Sequence, residues 1–263
     1  MRTATLLIKA YDHSQLRMIK EVLKSDLEGL NAELEVSETA SPGWVRIAVS
    51  GEDENTALNY LTREFGQCPE KLESVERFST IRGRIKAMGK SSTQVSVDIG
   101  VFAPRMVEAT IPLFRLQGQL VDGRKVALAK LIELFGFCEN FPLNVKILSV
   151  DVVQNHVKAM LAEKQLLQYE NWTRSLLHRL VILGAKLYDV ESAVEKAGFS
   201  RDVVSIEALG LLEHAVVCKL GTDATGLIPK VGRYLSQAAF SVFSPERILE
   251  FSQSASLNSL SRI

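Results

Sequence analysis

The chain has 263 residues, with 31 Lys and Arg against 31 Asp and Glu, no net charge, 46% hydrophobic and 24% charged residues, a composition with room for two or three folded cores. No apolar run approaches the roughly 20 residues of a membrane helix, and the apolar stretch in MRTATLLIKAYDH is too short for a secretion signal, so the expected setting is cytoplasmic. Three distant cysteines, Cys68, Cys138 and Cys218, exclude a disulfide framework and a zinc site of the CxxC type.

Charge is unevenly spread along the chain. Residues 1–80 carry a net −5, residues 81–150 a net +5, and the remainder is balanced. A basic middle segment either faces a polyanion or docks on an acidic neighbouring domain.

In the first segment, TATLLIKAY is β-rich and SQLRMIKEVLKSDLEGL places Leu16, Ile19, Leu23 and Leu27 at helical spacing, with Asp12 and Ser14 as capping candidates. AELEVSET and WVRIAVSG alternate across ASPG, and EDENTALNYLTREFG returns as a helix with an acidic first turn. With a further strand near Val75 to Ile81, the order is that of a ferredoxin-like α/β sandwich over residues 1–79.

Residues 80–151 are strand-rich: FSTIRGRIKAMG, TQVSVDIGVF, EATIPLFRL and LNVKILSVDVV, with the amphipathic helix ALAKLIELFGF between the last two. That order is expected of a central OB-type β-barrel. Residues 152–263 read as a C-terminal helical plus β-hairpin domain. A long helical stretch from Gln154, broken around Glu170, precedes the short helix DVESAVEKAG and the strands VVSIEALGLLEHAVVCKLG. The whole is an α+β multidomain chain.

Gly83, Ile85, the run Val97, Asp98, Ile99 and Gly100, then Thr110, Ile111, Pro112, Leu113 and Leu116 resemble the core pattern of the S-one-type RNA-binding OB-fold domain. The likeness covers about 70 residues and implies RNA binding on a β-surface. As a whole, the chain resembles a family of uncharacterised archaeal proteins with an S-one-like domain. Two aromatic residues on which that family stacks bases correspond here to Thr93 and Ser96, and Ala109 stands where the family has Gly. Losing stacking worth about 1–3 kcal/mol per base leaves a mainly electrostatic surface. Phe102 and Phe114 are candidates to compensate, although core positions suit each better.

The RNA-binding candidates are therefore cationic. Arg82, Arg84, Lys86 and Lys90 lie at even spacing on or beside one strand and should share a face. Arg105 and Arg115 follow, and Lys219, Lys230 and Arg233 bracket the loop GTDATG. Gly226, Leu227, Ile228 and Pro229 echo the middle segment, so the C-terminal part is either a second OB-like surface or a winged-helix element. GKSS at 89–92 lacks the earlier glycine of a phosphate loop and reads as a hairpin turn, and the four histidines show no metal-ligand spacing. His214 and Cys218 share a strand face about 13 Å apart, too far to work as base and nucleophile.

The expected function is RNA binding in translation or RNA processing, with RNA and a ribosomal or RNA-processing protein as partners and without catalysis, cofactor, metal or membrane. The alternatives are an RNA- or nucleotide-modifying enzyme with a site near residues 219–233, including Thr222 and Asp223, and a winged-helix-like DNA-binding regulator.

Overall fold

The computed structural model describes residues 1–11, 13–38, 43–86 and 93–260. The chain opens with β1 (Arg2–Lys9), α1 (His13–Asp26), β2 (Ala32–Glu38), β3 (Trp44–Gly51), α2 (Glu54–Phe65) and the short β4 (Glu70–Lys71). The first three strands form an antiparallel sheet in the order β1-β3-β2. The helical spacing of α1 brings Ile19 and Leu23 onto Ile8, Ile47, Val49 and, from α2, Leu61, all buried in one cluster. The fourth strand expected at Val75 to Ile81 is not in this sheet. A short ribbon replaces it: Leu6 bridges Gln67, and Cys68 N–H donates to the Thr5 carbonyl at 2.8 Å.

The second part comprises β5 (Thr80–Ile85), β6 (Gln94–Ala103), β7 (Val107–Pro112), α3 (Leu113–Leu120), α4 (Leu128–Phe135), β8 (Pro142–Asp151) and β9 (His156–Leu161). Their pairing closes a five-stranded barrel, β5-β6-β7-β9-β8 and back to β5, parallel only between β7 and β9. Ile85, Val97, Ile111, Val145 and Val157 point inward and are fully buried. Gly83 also takes an inward position; a Cβ there would meet Val97 Cγ1, so only glycine lets β5 lie this close to β6. This is an OB-like barrel. Its closing strand falls beyond residue 151, in a stretch expected to be helical. HVKAML alternates in burial because it fills the gap between β7 and β8. The helix expected over 154–185 is accordingly only α5 (Glu163–Arg174), unbroken at Glu170.

The third part continues with β10 (Arg179–Leu183), α6 (Leu187–Lys196), β11 (Val203–Ala208), β12 (Glu213–Cys218), α7 (Ala224–Val231), β13 (Ala239–Phe243) and α8 (Pro245–Leu260). From β10 to β13 the order is β-α-β-β-α-β, and the antiparallel sheet runs β11-β12-β10-β13, the split arrangement of ferredoxin-like sandwiches. Leu180, Ile182 and Val216 face α6 and α7, whereas Val181, Ala215 and Phe243 join the barrel's cluster with Tyr169 and Trp172.

Three expectations for this part are corrected. It holds a four-stranded sheet rather than a hairpin alone. Residues 226–229 lie in α7, whose first turn is capped by the Asp223 carboxylate accepting from Thr225 N–H at 2.9 Å, so they do not repeat the barrel's strand. The β11–β12 hairpin is held within the sheet, with β12 between β11 and β10, and is not a free wing.

Candidate nucleic-acid interface

Strand alternation does place Arg82, Arg84 and Lys86 on the outer side of β5, but the three meet different surroundings. Arg84 is 1% exposed, and its Nη2 donates to Glu213 Oε2 of β12 at 3.1 Å. Tyr11 Oη of the N-terminal part donates to the other Glu213 oxygen at 2.8 Å. Burial first, then the Glu213 charge, pushes the Tyr11 hydroxyl well above its ordinary value. Arg84 therefore joins all three parts of the chain and meets no solvent, which corrects its assignment to an RNA-binding surface. Docking on a neighbouring domain is the reading that holds at this residue.

Across the strand pair from Arg84 lies Asp98, also 1% exposed. Its oxygens accept from Lys9 Nζ at 3.0 Å, Trp44 Nε1 at 3.1 Å and Gly100 N–H at 3.1 Å. Buried charges of this kind persist only when paired and fully hydrogen-bonded. The row Arg84–Asp98 is thus the seam on which the two flanking parts sit. The Arg82 side chain, half-buried, makes no hydrogen bond or ion pair among the described residues; burial, then the Arg84 charge, lowers its pKa. Lys90 and the GKSS turn lie outside the described residues.

Two residues further along each strand, the barrel face opens toward solvent at its β9 end. Lys86 N–H donates to the Ser96 carbonyl at 2.9 Å, Ser96 is opposite Thr110, and Thr110 is opposite Lys158. Lys86, Ser96, Thr110 and Lys158 thus form a row across β5, β6, β7 and β9, about 14 Å wide at a strand spacing of about 4.8 Å. Lys158 is exposed and makes no ion pair among the described residues, whereas Lys86 is 3.8 Å from Glu108. Thr110 Oγ1 donates to the Val157 carbonyl at 3.1 Å and lies 3.0 Å from His156 Nε2. At one edge the β8–β9 loop exposes Val152 and Val153, the latter at 91%. Arg105 lies exposed between β6 and β7.

This face carries Ser96 and no aromatic side chain in the row. Phe102 packs against the core. Phe114, expected inside, is exposed on α3 with the Arg115 guanidinium 5.4 Å from its ring centre. Leu113 N–H donates to the Thr93 carbonyl at 2.8 Å, which sets this pair at the edge of the face where β6 begins. Reading HVKAML as a strand would have found His156 and Lys158, since alternation turns both outward.

The C-terminal cations are exposed but stand apart. Lys219 follows β12, whose opposite end carries Glu213 and hence Arg84, about 20 Å away by strand rise. Lys230 lies 5.0 Å from the Phe199 ring centre, and Arg233 follows α7. Near them, Ser244 Oγ is 3.4 Å from His178 Nε2, and His178 Nδ1 is 3.6 Å from Asp223. Both separations exceed the reach of a working nucleophile and base, and Ser244 is 5% exposed. Glu246 Oε2 is 3.6 Å from the same Nε2, so the imidazole sits between the starts of α7 and α8. Among the described residues no cluster of His, Cys, Asp and Glu is placed to hold a metal, and no helix is long and apolar enough to cross a membrane.

No curated protein matches the chain. Among solved structures, the a/eIF2alpha–aDim2p–rRNA complex from Pyrococcus horikoshii OT3 matches at 13% identity and TM-score 0.26, over 47% of this chain and 64% of that one. The intact alpha subunit of aIF2 from Pyrococcus abyssi matches at 10% identity and TM-score 0.26, over 64% of this chain and 96% of that one. Models of the N-terminal, central and C-terminal domains of one family, DUF2110, match residues 3–71, 75–173 and 177–243. With almost the whole length matched in that order, the chain belongs to the DUF2110 family.

Proposed function

We propose that this protein binds RNA, in translation or RNA processing in the cytoplasm, through the open outer face of its barrel. OB folds take oligonucleotides on the face of their second and third strands and on the loops beside it. Here those strands are β6 and β7. The observation that carries the reading is the contrast between adjacent rows: Arg84–Asp98 is sealed under the flanking parts, whereas the next row, with Thr110 buried and Lys86 and Ser96 half-buried, brings Lys158 out to solvent at its β9 end. The S-one-type reading is supported by Gly83 and Ile85, which take the inward positions that close β5 against β6.

Lacking stacking residues in the row, the face works by charge. Lys86, Lys158 and Arg115 meeting three phosphates give a salt slope of about −2.1 on single-stranded RNA. Fluorescence anisotropy with a labelled RNA oligonucleotide over a salt series tests this. Lys86→Ala with Lys158→Ala should weaken binding and reduce the slope by about 1.4. Lys230→Ala with Arg233→Ala, on α7 and after it, should leave both unchanged. An unaltered slope in the barrel variant refutes the assignment.

A further inference from the structure

A second cationic site lies where the barrel meets α5 and the C-terminal sheet. A groove of about 400 Å³ runs between β5, β8, α5, β10 and β11, a size typical of small-ligand sites. Three cations line it: Arg82, Lys164 and Arg179. Its one carboxylate is already engaged, since Glu207 accepts from Trp172 Nε1 at 2.8 Å and from Arg179 Nη2 at 3.3 Å. Neither Arg82 nor Lys164 makes an ion pair among the described residues, although the Glu213 and Glu64 charges act on Arg82.

Arg179, 4% exposed, is held by its other nitrogens: Nη1 donates to Ser175 Oγ and to the Leu177 carbonyl, each at 2.9 Å, and Nη2 to Glu207. Arg82 is held half-buried beside Arg84, a position that disfavours its own charge. An anion in the groove would offset it. Gln168 and Asn171 add amide donors, and Phe141, Leu167 and Leu209 give apolar walls beyond the charged end.

We propose that this groove binds a phosphate monoester, carried by a free mononucleotide or by the end of an RNA strand. An acceptor-only group with several oxygens suits convergent guanidinium, ammonium and amide donors. The groove exceeds the size of the phosphate, and its apolar walls receive the rest of the ligand. The site shares no residue with the open barrel face, so Lys158→Ala should leave it intact whether or not that face binds RNA.

The test is calorimetric titration of the full chain with inorganic phosphate, AMP, and a short RNA bearing either a 5′-phosphate or a 5′-hydroxyl, with acetate as the control anion at equal ionic strength. Saturable binding of AMP, weakened about tenfold or more by Arg82→Gln and by Lys164→Gln, is expected. Preference for the 5′-phosphorylated RNA over its hydroxyl counterpart identifies a strand end as the source; equal binding of the two RNAs identifies the free nucleotide. Failure of AMP and phosphorylated RNA to saturate, equal response to acetate, or unchanged affinity in both variants overturns the proposal. Both positions are at least partly solvated, so the variants should keep the parent melting temperature, which is measured alongside.

Discussion

Replacing Arg84 with Met keeps most of the side-chain volume and removes the charge. The Glu213 carboxylate, 1% exposed, then keeps only the Tyr11 hydroxyl as a side-chain donor. Removing one partner of a buried ion pair costs about 3–5 kcal/mol, because the other charge stays desolvated and unpaired. At about 2–4 °C per kcal/mol for a chain of roughly this size, the melting temperature should fall by about 6–20 °C. The double variant Arg84→Met with Glu213→Gln removes both charges and leaves an amide to accept from Tyr11. It should recover more than half of the loss, a coupling that only a cycle of single and double variants reveals. Calorimetry and urea unfolding followed by tryptophan fluorescence give both quantities. A loss under about 1 kcal/mol in Arg84→Met, or strict additivity in the double variant, would show that the pair does not hold the three parts together as described. RNA binding by Arg84→Met, measured below its melting temperature, should keep the parent salt slope; a reduced slope would return Arg84 to the binding surface.

Two further outcomes follow from single positions. Gly100 has φ +77°, and a Cβ there would lie 2.7 Å from Cys68 Sγ and 2.9 Å from Cys68 Cβ. Gly100→Ala should therefore cost more than the roughly 1–2 kcal/mol of the left-handed backbone alone, with partial rescue by Cys68→Ala; a neutral urea midpoint would refute the contact. His214 is 2% exposed with Nε2 3.0 Å from the Ala185 carbonyl, and burial lowers its pKa. The folded state holds it neutral while the unfolded chain protonates near pH 6.5, so its contribution is present above about pH 6.5 and is lost as pH falls below that value. His214→Gln should flatten this acid-side decline in the urea midpoint, and parallel declines in parent and variant would exclude the residue as its source.

The barrel was legible wherever local pattern and tertiary role agreed. TIRGRI, QVSVDIGVFA, VEATIP and PLNVKILSVD alternate or carry β-branched residues, and all four became barrel strands. HVKAML did not look like one, because Ala, Met, Leu and Lys favour helices and an apparent helix continues after it. Pairing with β7 and β8 overrode that preference. GLIPKVG failed in the opposite sense: its strand-like tripeptide follows a capping Asp223, which starts a helix. The outward direction of Arg84 was correctly read from spacing, but spacing says nothing of what covers an outward side chain. The missed signal was Glu213, a carboxylate opening the apolar strand EHAVVC, which needs a buried cation.

The seam has a consequence for modularity. Lys9 in the first part holds Asp98 in the second, and Arg84 in the second holds Glu213 in the third. The two-residue β4 also runs parallel to β6, so the end of the first sandwich contributes to the barrel's own sheet. Severing the chain at either junction would leave a formerly buried charge without its partner on each fragment. The three parts resemble separate domains in outline, yet each carries one half of a buried charge pair, so moving one alone means replacing or neutralising the charge it leaves behind.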